Sequence, residues 1–311
     1  MVELALKLPW CIDLTSKQKG TLFAISASLM FGLSPVFIRL TLDGVNVETM
    51  NVLFTSFASL CFFAFFAVFK KVAYVRSIRE NWLKIALMSL FSAVGSLLYT
   101  YGISVYGPIT ATFLVQFTAV FTILFGVKFF KEQFTQLEAV GVVMAVVGVF
   151  VLAYGDLSLE TVGITVLLGA AFLFALTNLL SKMYVKKLNP MALAGGNSIF
   201  VFLFIFAYTV LAGRLETAFP PETLVYATLG AVTGVIVSFI LFYKALQVFE
   251  VSKAATIRTM EPFLTAIFSF VILALTPTTN QLLGGALIVI GVVTLSLTKG
   301  KQTSNSHLTS T

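Results

Sequence analysis

Two opposite charges stand three residues apart in the run ATIRTMEPFLTAIFSF: Arg258 and Glu261. Residues i and i+3 share a helix face, so a single ligand would meet both signs there. The chemistry this allows is binding rather than bond-making: one side chain takes a carboxylate, the other an ammonium group. Pro262 follows directly, and, lacking an N–H, it deprives the Arg258 carbonyl of its usual donor. A kink at Pro262 is therefore expected beside the pair. The structural alternative is that Arg258 and Glu261 pair with each other and lock the helix. Other polar groups in apolar surroundings are Gln116, Asn178 and Asn197, with the aromatic hydroxyls Tyr99, Tyr101 and Tyr243. Each also has a plainer reading. An isolated Gln or Asn can join two helices, and Tyr favours membrane interfaces.

Enzyme chemistry finds little to build on. The single histidine, His307, lies in the C-terminal tail. No HExxH, CxxC pair, GxGxxG or P-loop occurs. No catalytic residue, metal or cofactor is expected. Solute movement without ATP would be passive or coupled to a proton or ion gradient. Cys61 lies in an apolar run and Cys11 in the polar N-terminal stretch, so no disulfide is expected.

The elements that must position these residues follow from composition. Of 311 residues, 59% are hydrophobic and 11% charged, with mean hydropathy +1.00. A water-exposed globular surface needs far more charge, so soluble domains and disorder are both excluded. Apolar runs near 20–40, 49–69, 83–102, 109–130, 136–154, 162–182, 190–211, 223–243, 253–275 and 279–298 each suit one membrane helix. The expected fold is all-α and integral to the membrane, with ten helices and a short polar tail from Lys299 to Thr311 that stays disordered. The runs lack the alternation of a membrane β-barrel. Counted from Lys253, Glu261 lies roughly 12 Å into a core of about 30 Å. A charge at that depth must face a cavity or a partner.

Net charge is +7. Nucleic acid is not the expected partner; the lipid bilayer and a small-molecule substrate are. With the N-terminus in the cytoplasm, 17 of 20 basic residues fall on the cytoplasmic side, among them those of the Lys70–Lys84 loop, Lys186, Lys187 and Lys301. Arg39 and Arg214 fall outside, and Arg258 within a span. That asymmetry orients the chain in a plasma or inner membrane with both termini inside. The N-terminal stretch has no signal-peptide pattern, so the first span is expected to direct insertion.

The chain also repeats. Tyr101 aligns with Tyr243, Gln116 with Arg258, Gly141 with Gly284 and Gly148 with Gly291. The segment SASLMFGLSPVFIRL aligns with GAAFLFALTNLLSKM and sets Arg39 on Lys182. Residues 1–155 and 156–298 thus form two five-helix repeats, followed by the 299–311 tail. Five spans per repeat invert the second relative to the first, a plan that lets one solute site open to either side. Under this pseudo-symmetry Gln116 is expected to face the same space as Glu261. Pro35, Pro262, Gly195 and Gly196 are the candidate hinges, with close helix contact as the alternative role for the glycines.

Three stretches resemble the EamA-like branch of the drug/metabolite transporter superfamily. They are the Ser26 segment with Arg39 at the family's usual Lys position; VKFFKEQFTQLEAVGVVMAVVGVFVL with Glu132, Gly141 and Gly148; and the Glu261–Pro262 segment with its following paired glycines. Phe31 stands where the family often has Trp, and Leu275 where the first repeat has Glu132. The resemblance implies ten helices in two inverted repeats, alternating access, and small polar or amphipathic substrates. Amino acids or similar zwitterions fit the Arg258–Glu261 pair best, with export the commoner direction. The alternatives are a multidrug, cationic-compound or nucleobase exporter of the same fold, or, in another class, a membrane channel or lipid-modifying enzyme. The sequence leaves monomer and homodimer open.

Overall fold

The structure, a computed structural model, describes residues 16–69, 71–130, 135–154, 161–184, 188, 190–238, 241 and 260–308. Every regular element among them is helical. In lipid a backbone N–H or C=O finds no water, and a helix satisfies both within one segment. The elements are α1 (Ser16–Leu42), α2 (Val47–Val68), α3 (Val72–Glu80), α4 (Trp82–Val115), α5 (Phe117–Phe130) and α6 (Gln136–Tyr154). They continue with α7 (Thr161–Tyr184), α8 (Pro190–Leu211), α9 (Pro221–Ala231, prolonged by a π-helical turn over Val232–Val237), α10 (Glu261–Leu273) and α11 (Thr279–Leu308). Five described helical stretches are long and apolar enough to cross a membrane. The protein is a multi-pass membrane protein.

One of those five, Trp82–Phe129, has 48 residues, about twice a membrane span. It folds back on itself at Gly107, whose φ of 77° and ψ of 166° belong to glycine alone. Pro108 then opens the next limb at a position where its missing N–H is harmless. Tyr99 and Thr112 show the reversal. Along a straight helix they would stand about 20 Å apart; their hydroxyls are 3.2 Å apart.

Two expectations are corrected. The basic Lys70–Lys84 connection is not simply a loop, because Val72–Glu80 forms α3. Its Tyr74 ring packs edge-on against Phe66, and Ile78 joins a cluster with Ile85 and Met88. Arg76 and Glu80 pair on the exposed side. The sequence VAYVRSIRE thus suits an amphipathic helix lying at a membrane surface. The polar tail is helical as well: α11 continues to Leu308. No proline follows Lys299 to stop the spiral.

Repeat-mates meet in two places, both antiparallel. Gly148 of α6 lies against Gly284 of α11, and Gly141 against Gly291. A Cβ on Gly148 would fall 2.6 Å from the Gly284 carbonyl oxygen, and one on Gly291 2.5 Å from that of Gly141. Backbones can approach so closely only where side chains are absent. The second meeting joins α2 and α8. Phe62 and Phe66 cover Gly195, Ser59 donates to the Ser198 carbonyl at 2.8 Å, and Val52 clusters with Val201 and Ile205. Between these seams lies a core that includes Ile103, Phe113, Leu114, Leu167 and Ile288.

Candidate functional site

Glu261 opens α10, where the positive end of the helix dipole favours a carboxylate. Pro262 sits in the first turn, whose N–H groups have no helical partner in any case. Pro262 thus helps to start α10, and the segment before Met260, on which the expected kink depends, lies outside the described residues. Arg258 and Tyr243 lie outside the described residues. Against this end of α10 lies Gly32 of α1, where a Cβ would come 2.8 Å from the Leu264 Cβ. Thr265 donates to the Gly32 carbonyl at 2.9 Å and so fixes the crossing of the two helices. Phe263 meets Phe113 edge-on at 5.3 Å. The Tyr99 ring, edge-on to Phe174, carries its hydroxyl to Thr112 and lies within electrostatic range of Glu261.

Gln116 is half-buried in a one-residue turn between Val115, the end of α4, and Phe117, the start of α5. It interrupts a membrane-spanning stretch, as discontinuous helices do around solute sites. The rest of the predicted set is dispersed. Tyr101 points elsewhere than Tyr99, because residues two apart on a helix do not share a face. Asn197 accepts a hydrogen bond from Ser89 at 3.0 Å and so links α8 to α4. Asn178 is exposed on α7. Pro35 is buried inside an α1 that runs through it. Gly195 and Gly196 lie within a continuous α8, against Phe66 and Ile85 respectively.

A second polar cluster closes the upper end of the bundle, where α1 turns into α2 and α8 leads to α9. Asn46 caps α2, its side-chain oxygen accepting from the Thr49 N–H at 2.8 Å. α8 ends on Gly213, at φ 65°. The Gly213 N–H bonds the Val210 carbonyl and the Arg214 N–H reaches back to Thr209, the double bond of a Schellman cap. That cap aims Arg214 at α2. Its carbonyl accepts from Asn46 Nδ2 at 2.7 Å and Thr49 Oγ1 at 3.2 Å, and its guanidinium pairs with Glu48. Glu216 completes the clasp: its carboxylate accepts from the Asn46 N–H, and its own N–H donates to Thr49 Oγ1, both at 2.9 Å. Glu48 is 9% exposed. Its hydrogen bond and charge hold the Arg214 pKa above the ordinary guanidinium value.

The model of the EamA-like transporter family matches this chain twice, over residues 18–154 and 161–297. The chain belongs to the EamA-like transporter family. An uncharacterized transporter of Methanothermobacter thermautotrophicus is 27% identical over 296 residues, which cover 89% of this chain and 85% of that one. The uncharacterized transporter YojE of Bacillus subtilis is 23% identical over 210 residues, 65% of this chain and 67% of that one. A solved crystal structure 15% identical in sequence superposes with a TM-score of 0.66 over 91% of this chain and 98% of its own, and shares the fold. This EamA-like protein is a transporter and not an enzyme.

In this transporter the clasp residues Asn46, Glu48, Thr49 and Glu216 are functional candidates that reading the sequence for buried charge passes over. Two signals mark them. Asn46 with Thr49 is a helix N-cap spacing, and Gly213 after an apolar run is a C-cap. Thr278 and Gln281 form a capping box in the same way, each bonding the other's N–H. Gln281 Nε2 then donates to Thr110 Oγ1 at 2.9 Å, tying α11 to the limb after Gly107.

Proposed function

We propose that this EamA-like protein is a secondary transporter that moves small zwitterionic metabolites, amino acids or close analogues, by alternating access, with export as the direction. Ten spans in two inverted repeats, both termini cytoplasmic, form the frame of this reading. The observation that carries it is Glu261: an ionisable side chain at a helix start inside a membrane bundle, beside Gly32 and within electrostatic range of Tyr99. Acidic groups at such depth are costly and mark solute or ion paths. Arg258, three residues earlier, supplies the opposite sign for a zwitterion's carboxylate, while Glu261 takes the ammonium group. A coupling proton or ion would drive the cycle.

Proteoliposome flux of radiolabelled amino acids tests the reading. Glu261→Gln and Arg258→Gln are each expected to abolish zwitterion flux, and the double variant to stay inactive while melting near the parent. Recovered flux in the double variant would reduce the pair to a helix lock. Retained flux of organic cations in Arg258→Gln, with zwitterion flux absent from the parent, would assign the cationic-compound reading instead.

A further inference from the structure

A cavity of about 560 Å³ opens at the upper end of the bundle, lined by neither Glu261, Tyr99 nor Gln116. Both repeats build it. Arg39, Tyr101 and Ser104 come from the first, Tyr208 and Arg214 from the second. Its volume suits a small organic molecule. Leu42, Leu97 and Leu98 give it an apolar wall.

The polar groups along this wall have capacity to spare. Among the described residues Arg39 is engaged only through Nη1, by Asp43 at 2.7 Å, and Arg214 only through Nη1, by Glu48. A guanidinium presents five N–H donors in a fork, so most of each fork is unclaimed by described residues. The hydroxyls of Tyr101 and Tyr208 make no hydrogen bond to described residues, and Tyr101 is 44% exposed. Two forks, two phenol groups and a leucine wall fit one kind of ligand: an anionic head on an apolar body. A cation would meet arginines, and a wholly apolar molecule would leave their donors unused.

We propose that this cavity binds an amphipathic organic anion, its head held by Arg214 and Arg39 and its body lying on Tyr101, Leu97 and Leu98. Glu48 is then the built-in competitor. It holds the same guanidinium, so an arriving carboxylate or phosphate must share Arg214 with it or displace it. Displacement takes one strand out of the α2–α8 clasp, which makes occupancy of the cavity felt at the junction of the repeats. This site does not rest on the reading of Glu261 and stands or falls separately.

Binding to the purified full-length protein, with Glu261 intact, tests it. The probes are N-acetylphenylalanine for a free acid, phosphatidylglycerol in nanodiscs for a lipid headgroup, and phenethylamine as the cationic control. For the anion that binds, Glu48→Gln is expected to tighten affinity about tenfold by removing a like charge, and Arg214→Gln to weaken it by about tenfold or more. Arg76→Gln, which removes a guanidinium paired with Glu80 on α3 and away from the cavity, is expected to leave affinity unchanged. Response to the acid assigns a soluble ligand, and response to the lipid alone assigns the bilayer as the source. The tightening in Glu48→Gln cannot arise from misfolding. The proposal is overturned if neither anion binds, if phenethylamine binds as well as they do, or if Glu48→Gln weakens binding.

Discussion

The two seams at which repeat-mates meet are built on opposite principles. Along α6 and α11, Gly141, Gly148, Gly284 and Gly291 set backbone against backbone. Along α2 and α8, Phe62 and Phe66 fill the space beside Gly195, and the upper end is closed by the Asn46–Glu48–Thr49 clasp on Arg214 and Glu216. A seam of the first kind depends on distance alone, and lipid offers nothing to replace a lost contact. A seam of the second kind depends on hydrogen bonds at a wet surface, where water substitutes for a protein partner at a net cost of only about 1 kcal/mol per bond. The molecule thus joins its repeats once by an axis that cannot open without being taken apart, and once by a closure that can be exchanged.

The largest expected effect lies on the glycine seam. Gly148→Leu drives a side chain into the Gly284 carbonyl and the Ile288 N–H, both under 3 Å from the position of a Cβ. Overpacking against backbone cannot relax by rotamer change, so a loss of roughly 3 kcal/mol or more is expected, read as a lower melting temperature in detergent. Gly169→Ala is the control, since its nearest neighbour, Leu98 Cδ1, stands at 3.6 Å. If Gly148→Leu melts with the parent, the seam is not rigid and the contrast collapses.

The next effect belongs to the clasp. Thr49 is 1% exposed, and its hydroxyl both accepts from the Glu216 N–H and donates to the Arg214 carbonyl. Thr49→Val keeps the shape, strands the Glu216 N–H and leaves the Arg214 carbonyl its Asn46 bond alone, at a cost of about 2 kcal/mol. Faster hydrogen exchange is expected at the amides of Glu216 and Asn46, with α6 and α11 unchanged. Acceleration along α11 as well would show the two seams to be coupled rather than independent.

Much of this division was legible in the sequence, and its limits are physical. Apolar runs give helices because a backbone in lipid has one economical way to satisfy itself, and the Gly107–Pro108 pair marks the reversal between the third and fourth runs. The alignment of Gly141 with Gly284 and Gly148 with Gly291 was visible as repetition. That Gly141 then faces Gly291 follows only from folding, because antiparallel mates meet head to tail. Buried charge pointed to Glu261. It could not point to Glu48, which lies at a helix end where a carboxylate is ordinary; its importance arises from Arg214, 166 residues away. Tyr99 and Tyr101 stand two residues apart among the candidate aromatic hydroxyls, whereas helical geometry sends one toward Glu261 and the other to the upper cavity. The amphipathic α3 and the helical tail were hidden for a related reason: both lie where span-counting looks only for charge.

The smallest expected effect separates the two uses of glycine directly. Gly148 is needed for space, Gly213 for angle. At Gly213 a Cβ would meet nothing within 4 Å, yet φ is 65°. Alanine there should therefore cost only the left-handed penalty, about 1–2 kcal/mol. Because the Gly213 and Arg214 N–H groups form the cap of α8, that strain is expected to fall on the clasp: a modest drop in melting temperature and faster exchange at Arg214, with no change along α6. Asparagine tolerates the left-handed region better than alanine does, so Gly213→Asn should recover much of the loss. Gly148→Asn should recover nothing, because the larger side chain only worsens a collision with the Gly284 carbonyl. Melting of Gly213→Ala, Gly213→Asn, Gly148→Ala and Gly148→Asn side by side decides the matter. If asparagine and alanine are equivalent at Gly213, backbone angle is not what that glycine supplies, and the clasp does not depend on the cap that aims Arg214 at α2.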